Sequence, residues 1–168
     1  MAKGIFIAEN MASTKLGSLL RNAQQATAIE NGSLVVLGDL VSGETDLYES
    51  GAVTANTDVV YLVDGVELIT SEETTKGLDD FENEADKAFR VRKPMVGDVF
   101  SISESMITAL ANDQVVEGNV AETPATGNKL VEAASATAGA SLVCKIVKRW
   151  TFGTRAIPMV RLEVISVA

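Results

Sequence analysis

Apolar and polar residues alternate most cleanly near the C-terminus. In SLVCKIVKRW (141–150), Leu142, Cys144, Ile146 and Trp150 share one predicted face, and Lys145 and Arg149 take the other. In VRLEVISV, Val160, Leu162 and Val164 alternate with Arg161 and Glu163. A period of two marks strands with one buried and one wetter face. TFGTRAIP joins them as a predicted long hairpin loop with Phe152 near its tip, and Pro158 places the second strand's start at an edge or bulge.

Earlier segments carry shorter β signals. In ATAIENGSLVVLGDL, Asn31-Gly32 supplies a tight turn between two β-capable arms and sets a predicted hairpin register, with Leu34 to Leu37 as core strand. DVVYLV-DG-VELIT places Asp64-Gly65 between two β-branched runs, the strongest short-range hairpin signal in the chain. In VGDVFSIS, Gly97-Asp98 forms a turn and Val99, Phe100 and Ile102 enter a strand.

Two stretches read as helical. Leu78, Phe81, Ala85 and Phe89 recur at i, i+3, i+7 and i+11 among acids, which predicts an amphipathic helix of about three turns. Leu16, Leu19, Leu20 and Ala23 also fall at helical spacing, with an extended arm lying on a neighbour as the competing reading. The fold expected is mainly β, a small β-barrel or β-sandwich with one or two short α-helices. Residues 1–22 form an N-terminal arm in this reading. Residues 23–168 form one β-rich domain with a helical insertion near 78–89.

Composition narrows the chemistry. The chain has no histidine, which removes the commonest general base, the commonest transition-metal ligand and every Ser-His or Cys-His pair. Cys144 is the single cysteine, so no intramolecular disulfide or cysteine metal cluster can form. No phosphate-binding glycine loop, nucleophile elbow or zinc-protease helix motif is present. No catalytic residue, cofactor or metal is expected. An enzyme working with carboxylates alone would need two well-separated acids with perturbed pKa in one cleft.

The longest apolar cluster, VVYLV, is strand-sized, and the N-terminal apolar patch is too short for a signal-peptide core, so neither membrane insertion nor signal-peptide export is expected. The net charge of −9 is uneven: residues 30–86 hold 15 acids and one lysine, while the remainder holds 13 basic and 8 acidic groups. Net acidity argues against nonspecific nucleic-acid binding. A basic part opposite an acidic part suits docking on an acidic partner with a repelling outer face.

The glycine-punctuated opening ATAIENGSLVVLGDL, the VGDVFSIS strand entry, the NDQVVEGN segment and the final long hairpin resemble a tailed-bacteriophage capsid decoration, or head-stabilising, protein. The resemblance implies a β-rich, non-catalytic protein on the virion's capsid surface, present in the host cytoplasm during assembly. It also implies that the protein binds the outer face of an assembled major-capsid lattice, often as trimers or in many copies. The N-terminal arm and basic C-terminal hairpin are the candidate contacts: Phe6, Lys15, Arg21, Lys148, Arg149, Phe152 and Arg155. Alternatives are a head-fibre base or tail component, and a β-barrel module whose cavity, lined by Phe100, Ile102 and Tyr61, takes a small ligand or glycan.

Overall fold

The structure, a computed structural model, describes residues 2–67 and 77–168. It is mainly β. In chain order the strands are β1 (Phe6–Asn10), β2 (Leu20–Gln24), β3 (Leu34–Leu40), β4 (Leu47–Gly51), β5 (Tyr61–Val63), β6 (Phe89–Arg92), β7 (Val99–Ser103), β8 (Ile107–Thr108), β9 (Val120–Glu122), β10 (Leu130–Ala133), β11 (Leu142–Phe152) and β12 (Ile157–Val167). Five of them close a barrel in the order β2-β4-β3-β5-β6. The other seven form a sheet ordered β1-β7-β12-β11-β9-β10-β8.

The barrel packs against one face of the sheet, and this explains the unbroken apolar runs in two barrel strands. Strands buried on both faces lose alternation. In β3, Val35 joins Ala23, Ile29, Val63, Phe89 and Val91 inside the barrel, while Leu34 points the other way into the larger core. In β5, Leu62 faces that larger core and Val63 the barrel interior. The sheet supplies Phe6, Phe100, Ile102, Leu142, Cys144, Ile146, Val160, Leu162 and Val164 to the same core.

The C-terminal hairpin forms as its alternation predicts, with a four-residue loop between Phe152 and Ile157. Pro158 lies just beyond the β7 pairing, which begins at Met159↔Ser103, so its missing N–H costs nothing on that side. The register shifts between Ile146 and Lys148, leaving Val147 as an extra residue. A bulge of this kind moves every later side chain to the opposite face. Arg149 now faces the same side as its partner Val160, and Trp150 the same side as Met159. Trp150 therefore leaves the Leu142–Cys144–Ile146 face on which strict alternation puts it. It joins a second cluster on the sheet's outer face, made of Ile5, Ile157 and Met159 with Ile7, Leu78 and Phe152 packed alongside.

Several expectations are corrected. The helix over 78–89 is absent: Leu78–Asp80 is a single 3-10 turn, Asn83 makes a β-bridge with Ile29, and Phe89 starts β6. Asp86 sits at φ 55°, a left-handed conformation that no right-handed helix continues through. Barrel closure claims Phe89 for the interior, and the helical spacing yields to it. Helical structure among the described residues is limited to four 3-10 turns, at Ala12–Thr14, Gly17–Leu19, Leu78–Asp80 and Glu104–Met106.

Gly32 takes φ +84° and does make a turn, but β3 pairs with β4 and β5 rather than with the segment before the turn. The Asp64-Gly65 hairpin does not form as predicted either. Neither residue has positive φ, and β5 pairs with β3 and β6. Residues 68–70 of its second arm lie outside the described residues. The Asp64 carboxylate instead accepts hydrogen bonds from Arg90 Nη2 at 2.8 Å and from the buried Arg92 Nε.

Residues 1–22 are not a detached arm. β1 pairs with β7, and Leu20 opens a barrel strand paired with β6. Lys3 N donates to Asp79 O at 2.6 Å, Gly4 N to Glu30 Oε2 at 2.7 Å and Ile5 N to Ser103 Oγ at 2.8 Å, so the N-terminus is stitched between the two sheets.

Candidate interaction surfaces

The seven predicted contact residues divide into three groups. Phe6 is buried, its ring 5.6 Å from that of Phe100, because its position in β1 points to the core. It serves packing and offers no surface to a partner.

Lys15 and Arg21 lie where the sheet meets the barrel. Lys15 follows the Ala12–Thr14 turn and is exposed. Arg21, half-buried in β2, donates from Nη1 to the Ser18 and Leu20 carbonyls, both at 2.7 Å.

Lys148, Arg149, Phe152 and Arg155 belong to the C-terminal hairpin. Lys148 is exposed and lies opposite Arg161, an unfavourable like-charge pair that Glu9 relieves through a 3.0 Å contact to Arg161. Arg149, turned by the Val147 bulge, donates to Glu104 Oε2 at 2.9 Å. Phe152 meets Trp150 edge-on, centroids 5.9 Å apart, within the outer-face cluster. Arg155 donates from Nη1 to both Asp79 oxygens at 2.9 Å and to Asp80 at 3.2 Å. Phe152 and Arg155 thus fasten the hairpin tip to the 77–80 turn, which carries Leu78 over the outer cluster.

The two cationic groups do not converge. The 95–98 turn bonds to Val164, with Gly97 N to Val164 O and Val164 N to Asp98 O both at 2.9 Å. Seven residue steps of β12, roughly 23 Å at about 3.3 Å each, separate Val164 from Ile157 at the tip. Contact residues at both ends of one stiff hairpin can touch two neighbouring bodies at once.

Leu16, Met95 and Val96 are exposed at 55%, 40% and 64%, and Lys93 precedes Met95 and Val96 in the same turn segment. The contact residues read from the sequence did not include Lys93, Met95 or Val96. The signal was present in RKPMVGD, where apolar side chains follow a cationic pair inside a turn.

The acids that acceptor chemistry could use are largely engaged. Burial pushes the Glu67 carboxyl above its ordinary range against a hydrogen bond from Asn31, and Asp64 adds to the rise. Asp64 itself is held by two arginines. For Glu132, burial acts upward, but donors from Leu110 N, Val116 N and Asn119 Nδ2 together hold the carboxyl below its ordinary range. Phe100 and Ile102 belong to the inter-sheet core and Tyr61 packs on the barrel cluster, so the three do not face one cavity. Among the described residues no group of three or more Cys, Asp or Glu side chains could hold a metal ion, and no helix is long and apolar enough to cross a membrane. Comparison with protein-family models, curated proteins and solved structures finds no match to this chain.

Proposed function

We propose that this protein is a structural component of a phage virion that binds the outer surface of the assembled capsid and holds neighbouring subunits together. The observation that carries the reading is the placement of the exposed Lys15 beside the 95–98 turn at one end of the β11–β12 hairpin and of the exposed Arg155 at the other, with roughly 23 Å of strand between Val164 and Ile157. A rigid rod with a sticky group at each end suits a bridge between adjacent subunits. Such a protein stabilises the shell because it binds the assembled state and not the separated subunits. Many copies on a repeating lattice make modest individual contacts sufficient. The exposed acids Asp39, Glu44, Asp46, Glu84 and Asp86 then keep decorated particles apart by charge.

Co-sedimentation tests this directly. Purified protein is added to particles of the encoding phage assembled without it. Binding should saturate and raise the temperature at which the shells come apart. Protein left in the supernatant, with shell disruption unchanged, contradicts the proposal.

A further inference from the structure

Two loops at the junction of barrel and sheet form a built surface. Residues 11–19 and 93–98 are tied at several points: Ala12 N donates to Asp98 Oδ1 at 2.8 Å, Met95 N to Asp98 Oδ2 at 2.9 Å, and Lys93 N to Leu19 O at 2.8 Å. Beneath them the buried Arg92 reaches Ser13 Oγ at 3.1 Å while its Nε holds Asp64. Asp98, Ser13 and Arg92 are all buried, so the loops rest on a closed polar framework.

What this framework presents is unusual for an acidic protein. Leu16, Met95 and Val96 project into solvent from a pinned backbone. The segments 11–21 and 92–97 contain Lys15, Arg21, Arg92 and Lys93 and no carboxylate at all, in a chain of net charge −9. Arg92, like Lys3, Arg90, Arg149, Arg155 and Arg161 elsewhere, is engaged by a carboxylate of the same chain. Among the described residues no carboxylate pairs with Lys15 or Lys93. Exposed apolar side chains rimmed by unpaired cations have the make-up of a contact centre with a polar surround. A backbone already fixed loses little freedom on binding.

We infer that this ledge docks an acidic segment with apolar side chains on the capsid subunit. The apolar groups of that segment cover Leu16, Met95 and Val96, and its carboxylates meet Lys15 and Lys93. The inference rests on the capsid-binding reading above and assigns one end of the bridge.

The test is co-sedimentation with undecorated particles at low and high salt. It compares the wild type, Leu16→Ser/Val96→Ser, Lys15→Glu/Lys93→Glu and the charge-matched control Lys87→Glu/Lys145→Glu. Both ledge variants should bind about tenfold or more weakly, while the control binds as the wild type does. The defect of the charge variant should shrink at high salt and that of the apolar variant should persist. All positions are surface groups, so thermal melting should stay close to wild type. If the double apolar variant melts without cooperativity, Leu16→Ser alone replaces it. Ledge variants that bind with wild-type affinity and salt dependence overturn the inference and leave the capsid reading standing. Failure of the wild type to bind overturns the capsid reading, and the ledge assignment falls with it.

Discussion

Glu132 offers the sharpest structural prediction. Its carboxylate is buried on β10 and organises the loop between β8 and β9. Oε2 accepts from Leu110 N at 2.9 Å, and Oε1 from Val116 N at 2.8 Å and Asn119 Nδ2 at 2.7 Å. Glu132→Gln keeps the shape and one carbonyl oxygen, which can retain the two donors now shared by Oε1. The new amide nitrogen then faces Leu110 N, donor against donor. Charge-assisted hydrogen bonds contribute about 1.5–3 kcal/mol, and a buried donor left without an acceptor costs about 1–3 kcal/mol. A loss of about 2 kcal/mol is expected, or a drop of about 4–8 °C in Tm for a chain of this size. The pH dependence has a fixed sign. Because the folded carboxyl is held below its ordinary range, its stabilisation is fully present above the unfolded value of about 4.3 and is lost as pH falls through the folded value. The Tm gap between wild type and variant should therefore be full at pH 7 and narrow as the buffer is taken below about pH 4. Circular-dichroism melting measures the gap, and hydrogen exchange at Leu110 and Val116 locates it. Equal melting at neutral pH with unchanged protection of those two amides would refute the reasoning.

Three further outcomes follow from the packing. A Cβ on Gly4 meets the Asn31 carbonyl oxygen at 2.3 Å and Met106 Sδ at 2.6 Å, and the former is backbone with no room to give. Gly4→Ala should cost about 2 kcal/mol in a chemical-denaturation curve, and an unchanged midpoint would sink the claim. Burial, with the Asp98 charge adding to it, pushes the Cys144 thiol far above its ordinary range, so iodoacetamide should label it only in denaturant. Rapid labelling of the native protein would contradict that burial. Deleting Val147 removes the extra residue and leaves Lys148, Arg149 and Trp150 opposite Arg161, Val160 and Met159 in an unbroken ladder. The emission of the single tryptophan should therefore stay unchanged, whereas a shift would contradict the assignment of Val147 as the bulged residue.

The fold class and final hairpin were legible because both depend on local alternation. Val160, Leu162 and Val164 face the core as their spacing requires, and the turns at Gly32 and Gly97 take the positive φ that glycine allows. What could not be read is non-local. The bulge at Val147 leaves no residue-type signature, yet it decides which face Trp150 occupies. The spacing of Leu78, Phe81, Ala85 and Phe89 is helical, but barrel closure takes Phe89 inward and Asn83 bridges to Ile29. The same holds for the candidate contacts. Lys15 and Arg21 could be picked as cations, but only the hydrogen bonds to Asp98 and Leu19 bring Leu16, Lys93, Met95 and Val96 beside them. Phe6 is apolar at the chain start, and its burial depends on β7, more than ninety residues away.

The central claim is that this protein belongs to an assembled shell and occupies it repeatedly. Quantitative mass spectrometry of purified particles of the encoding phage, with the major capsid protein as internal standard, tests it most directly. The account predicts a copy number that scales with the number of capsid subunits. A few copies per particle would assign the protein to a fibre or tail, and its absence from the particles would contradict the account outright.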